Sequence, residues 1–84
     1  MREKVKNFIV GFMEHLASEK HIPMPECSDS LSLLESGVIE SMDLVELLCA
    51  LENEFSIKID FDMENMEDYF TLGGMIDSVC RKLS

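Results

Sequence analysis

Apolar residues return at three- and four-residue steps along the start of the chain, at Val5, Phe8, Ile9, Phe12, Met13 and Leu16. That is the spacing of one helical face, and it predicts an amphipathic helix from about Arg2 to Ser18. Pro23 and Pro25 then close off helix and open a long connection that reaches Glu40. A structureless loop of that length is unusual in a compact domain. Its apolar residues, Leu31, Leu33, Leu34, Val38 and Ile39, predict a loop pinned across the core. A second helix is expected over Ser41–Phe55. Ser56 to Asp60 reads as a short extended crossing with Ile57 and Ile59 turned inward. Asn65 can cap a short third helix through Phe70, and Thr71 a last helix to about Leu83. Gly73 and Gly74 weaken the start of that last helix by roughly 1 kcal/mol each relative to alanine. The expected fold is all-α: one bundle over residues 1–84, with three main helices, one short helix, and a long loop between the first two.

The second helix carries more apolar surface than a core stripe needs. At about 100° per residue, Leu44, Leu47, Leu48, Leu51 and Phe55 fall on one face. Met42, Val45 and Cys49 fall together on another, bordered by Glu46, Glu52 and Asn53, with Ser41 at its upper end. Such a stripe could pack under the long loop or the short third helix, or it could form a docking strip, since apolar anchors inside a polar border are the usual anatomy of a protein interface. Its alignment with Ser41 favours docking.

Charge sharpens that expectation. The net charge is -10, from 17 acidic and 7 basic residues, which makes nucleic acid a poor partner. Between His21 and Cys80 the only basic residue is Lys58, against fourteen acids. The middle of the chain is therefore an acidic surface suited to basic protein partners. No apolar run approaches the length of a membrane span, and the start lacks a signal-peptide pattern. Cys27, Cys49 and Cys80 form no CxxC pair, which fits a reducing cytoplasm better than a disulfide framework. Asp60-Phe61-Asp62-Met63-Glu64 begins like a calcium loop but has Asn65 where glycine is required and Thr71 where glutamate is required. The histidines and cysteines lack metal-ligand spacing. Met13, Met66 and Met75 read as core.

Ser41 is the residue with candidate chemistry. A serine at a helix start is most simply an N-cap. As a nucleophile it would need an adjacent base, yet the only histidines, His15 and His21, belong to the first helix and its end. The Gly-x-Ser-x-Gly pattern of hydrolases is absent. A helix N-terminus does accommodate a phosphodiester, through its unpaired N–H groups and dipole. Ser41 is thus better suited to receive a group from another protein than to catalyse.

The stretch Gly37-Val38-Ile39-Glu40-Ser41-Met42 resembles the Gly-x-x-Asp-Ser-Leu type of signature in acyl carrier proteins, including peptidyl and D-alanyl carriers. The resemblance extends over nearly the whole chain: first helix, long loop, serine at the head of helix two, Glu52 to Ile59 closing it, short third helix, Thr-initiated last helix. It implies that Ser41 bears 4′-phosphopantetheine, transferred from coenzyme A by a phosphopantetheinyl transferase. The arm's thiol would then hold acyl or aminoacyl groups as thioesters, loaded by a ligase or synthetase and passed to acceptor enzymes. Partner recognition would fall on Glu40, Met42, Asp43, Val45, Glu46, Cys49 and Glu52. The chain is expected to be a monomeric cytoplasmic carrier and not an enzyme. Glu40 stands where the family has aspartate, and Cys49 where an aliphatic residue or methionine is common. The spacing from Gly37 to Ser41 resembles stand-alone carriers, D-alanyl carriers included. The rival expectation is an acidic interaction module in which Ser41 stays unmodified.

Overall fold

The computed structural model describes residues 1–60 and 66–83. Helix α1, Arg2–Lys20, buries Val5, Ile9, Met13 and Ala17, one residue per turn. Phe8, Phe12 and Leu16 are half-buried and pack beside them. The helix runs on to Lys20 rather than stopping at Ser18, because the restraint imposed by Pro23 falls on Ile22 and not earlier. It closes at His21, whose backbone turns left-handed at φ 58°. The Ile22 N–H then bonds back to the Ala17 carbonyl at 3.0 Å, the usual way to satisfy a helix's last carbonyls.

Helix α2 spans Ser41–Phe55 and buries Leu44, Leu47, Leu48 and Leu51, the face expected from the leucine spacing. Phe55 at its end is half-buried and meets Phe8 edge-on, with ring centroids 5.8 Å apart. The segment after it is irregular rather than a strand. Ile59 is buried and Ile57 half-buried, so both isoleucines do turn to the core. The short third element is a 3₁₀ turn, Met66–Tyr69, with Tyr69 buried. The proposed Asn65 cap and most of the calcium-like stretch lie outside the described residues. Met13 and Met75 are fully buried and Met66 packs against the core, as expected.

Helix α3, Leu72–Leu83, buries Leu72, Met75, Ile76 and Val79. Thr71 caps it: its Oγ1 accepts the Gly74 N–H at 3.0 Å. The fold is all-α, a small bundle with three helices and one 3₁₀ turn among the described residues.

The long connection is pinned as its leucines foretold. The Leu33 N–H donates to the Phe70 carbonyl at 2.8 Å, Leu72 N–H to Leu31 at 2.9 Å, and Gly73 N–H to Asp29 at 2.9 Å. These bonds lace the loop antiparallel to the segment that starts α3, with Ser32 opposite Thr71. Leu33, Val38 and Ile39 are buried. The glycines of α3 are not merely weak helix formers. A Cβ on Gly73 would sit 2.8 Å from the Asp29 Cβ, and one on Gly74 would sit 2.3 Å from the Asp68 carbonyl oxygen. The loop and the 3₁₀ turn pass that close.

Candidate carrier site at the head of α2

The turn into α2 is built before Ser41 is reached. Gly37 has φ 84°, a left-handed conformation that glycine adopts without strain. Ser36 braces the same turn: its Oγ donates to the Leu33 carbonyl at 2.6 Å and accepts the Val38 N–H at 3.2 Å. Val38 and Ile39 then plunge into the core. The chain emerges at Glu40, extended at φ -94° and ψ 173°, which serves as N-cap. Ser41 is therefore the first residue of the helix and not its cap. The first intrahelical bond, from Leu44 N–H to the Glu40 carbonyl, spans 2.9 Å and leaves the amides of Ser41 and Met42 ahead of it.

Capping falls to its neighbours. Asp43 Oδ2 accepts the Glu40 N–H at 3.0 Å. The same oxygen accepts from Lys20 Nζ at 2.7 Å, and Lys20 also donates to the Val38 carbonyl at 2.7 Å. The hydrogen bond to Lys20, helped by the Glu40 amide, holds the Asp43 carboxyl below its ordinary value of 3.8. Reciprocally, the bond to Asp43 raises the Lys20 ammonium above 10.5.

The Ser41 side chain is exposed and has no hydrogen-bond partner among the described residues. Neither histidine nor Lys20 addresses it: His15 pairs with Glu19 at 3.2 Å on α1, His21 closes that helix, and Lys20 is turned to Val38 and Asp43. An exposed hydroxyl above open helix amides, with no hydrogen-bonded base among the described residues, suits a site modified by a second protein. A cleft of about 500 Å³ lies elsewhere, lined by Arg2, Glu3, Lys6, Asn7, Asp29 and Ile76. Arg2 crosses that region to pair with Asp77 and, at 3.5 Å, with Asp29.

The seven residues named for partner recognition separate into two groups. Met42 is 72% exposed and Val45 47%, and Cys49 is exposed below them, so the second stripe of α2 is open. Glu40 and Glu46 flank it in solvent. Asp43 and Glu52 are half-buried and internally engaged: Asp43 with Lys20, and Glu52 with the Ile59 N–H at 2.7 Å. Lys20 is the site residue that sequence reasoning missed. Its signal was its place as the last cation before the acidic tract begins. Among the described residues there is no cluster able to hold a metal ion, and no helix is long and apolar enough to cross a membrane.

Residues 12–79 match the family described as "Phosphopantetheine attachment site". The chain is similar to the D-alanyl carrier proteins of Streptococcus sanguinis and Streptococcus gordonii, 33% identical to each over 58 residues, which is 67% of this chain and 73% of theirs. It is 36% identical over 47 residues to the D-alanyl carrier protein of Streptococcus uberis, 56% of this chain and 60% of the relative. The exposed serine at the start of α2 fits the prosthetic group of that family, 4′-phosphopantetheine. The chain belongs to the acyl carrier protein family of phosphopantetheine carriers.

Proposed function

We propose that Ser41 is the attachment residue and that the chain shuttles thioester-linked groups between partner enzymes without catalysing a reaction itself. The observation that carries this is the Ser41 hydroxyl, exposed and, among the described residues, unbonded and without a base. In the modification step Ser41 Oγ attacks the phosphorus of coenzyme A that carries the pantetheine. An Oγ–P bond forms, adenosine bisphosphate leaves, and the hydroxyl proton passes to a base on the phosphopantetheinyl transferase. Once attached, the group supplies a thiol that holds acyl or aminoacyl cargo. Everything else is address. Met42, Val45 and Cys49 give partners an apolar strip, and Glu40 and Glu46 give it an acidic border. Such a border speeds encounter with basic partners, an effect that salt weakens. The D-alanyl carriers among its relatives make D-alanine the first cargo to test.

The experiment is intact mass after incubation of the apo protein with coenzyme A, magnesium and a broad-specificity transferase. Ser41→Ala and Glu40→Asp are run beside it. One added phosphopantetheine on the wild type and none on Ser41→Ala is the expected result. No addition to folded wild type or to Glu40→Asp would favour an unmodified interaction module instead.

A further inference from the structure

The reading of Ser41 as the modified residue leaves open what holds it in place, and the hydrogen bonds around it supply an answer. We propose that Lys20 is a positioning residue for phosphopantetheine transfer: its ammonium ties the end of α1 to both flanks of Ser41. On the upstream side it takes the Val38 carbonyl at 2.7 Å, and on the downstream side Asp43 Oδ2 at 2.7 Å. That oxygen also receives the N-cap amide of Glu40 at 3.0 Å. Three short bonds thus close a bracket around Ser41 that includes no atom of Ser41 itself.

The bracket matters because of what it spans. Residues 22–40 form no helix, and among the described residues their backbone bonds to the segment that starts α3 lie well upstream of Ser41, at Asp29, Leu31 and Leu33. Val38 and Ile39 are anchored by burial, which is non-directional, and the Ser36 hydroxyl fixes Val38 only to the loop's own Leu33. The Lys20 side chain adds directional bonds that join this turn to α1. It is 30% exposed and Asp43 16%, so the pair is shielded more than an ordinary surface ion pair. Holding Asp43 inward has a second effect. With that acid satisfied within the fold, Glu40 and Glu46 are left as the exposed acids beside the strip.

The inference rests on the Ser41 reading, and its test keeps the two apart. Apo wild type, Lys20→Met, Lys20→Gln and Lys20→Arg are compared in the transferase assay under conditions where circular dichroism shows each to be folded. An error of about 1 Å at a reacting atom can cost on the order of 100-fold, so Lys20→Met and Lys20→Gln are expected to lose at least about tenfold in kcat. KM for the carrier should stay nearly unchanged, because Met42, Val45 and Glu46 are untouched. Lys20→Arg, whose fork can meet both acceptors, should recover most of the loss. A smaller loss in kcat, a loss confined to KM, or an arginine variant as poor as methionine would overturn the proposal. A readout independent of transfer is the ¹⁵N–¹H resonance of Glu40, which should move in Lys20→Met as Asp43 is released and stay near its wild-type position in Lys20→Arg. An unmoved Glu40 resonance in Lys20→Met also overturns it. If wild type itself accepts no group, the Ser41 reading fails while the Glu40 resonance still decides whether the bracket exists.

Discussion

Alanine at Gly11 and alanine at Gly74 should move stability in opposite directions, although both glycines sit inside helices. Gly11 lies on the exposed side of α1, and nothing stands within 4 Å of the place its Cβ would occupy. Substitution there should gain the intrinsic preference of alanine over glycine, about 0.8–1 kcal/mol. For a domain of this size that raises Tm by roughly 4–8 °C. Gly74 would gain the same preference, but its Cβ would lie 2.3 Å from the Asp68 carbonyl oxygen and 2.8 Å from Thr71 Oγ1. The first obstacle is backbone and cannot rotate away. The second is the hydroxyl that caps α3. Forcing a methyl into packed space costs about 1–3 kcal/mol, and a lost cap costs about 1 kcal/mol. Against a propensity gain of about 1 kcal/mol, the net is a loss of about 1–3 kcal/mol. Thermal unfolding followed at 222 nm reads both variants. If both raise Tm, helix propensity alone governs the site and the close approach of the 3₁₀ turn to α3 is refuted.

Leu33→Ala should cost about 2–5 kcal/mol in urea unfolding, as a core helix leucine would, although it lies in the long connection. Its exposed neighbour makes the control, with Leu34→Ala expected to change stability by less than about 1 kcal/mol. Asp43, held below 3.8 chiefly by its bond to Lys20, contributes stability that is complete above its unfolded value and lost as pH falls through the folded one. The Tm gap between wild type and Asp43→Asn should therefore be constant near neutrality and close below about pH 4. A gap that widens in acid would contradict the sign. The Lys20 partner, raised above 10.5, keeps its charge throughout that range. Of the three thiols, Cys49 is exposed while Cys27 and Cys80 are half-buried, so titration with a chromogenic disulfide should show one fast thiol and two slower ones.

What could be read from the sequence was whatever repeats at a helical period. The bounds of α2 and its two apolar faces follow from the spacing of its apolar residues, and the structure buries one face and exposes the other. The pinned loop was also legible, because apolar side chains in a polar connection have to go somewhere. Contacts between distant segments were not legible. Gly73 and Gly74 read as weak points, since the Asp29 loop and the Asp68 carbonyl that press on them carry no periodic signal. Asp43 and Glu52 read as part of an acidic rim for the same reason. Their acceptor oxygens are occupied by Lys20 and by the Ile59 amide, and neither pairing follows from position on a helical wheel. Ser41 was located correctly at the head of the helix, but the capping role that serine would ordinarily take belongs to Glu40.

That division of labour leaves the fold indifferent to the fate of the Ser41 hydroxyl. Among the described residues that hydroxyl closes no turn and satisfies no buried group, so derivatising the oxygen would break none of their bonds. With Ser41 as the proposed attachment residue, the same scaffold would persist bare, armed or loaded without refolding between states. A partner that distinguishes those states would then do so by touching the appendage.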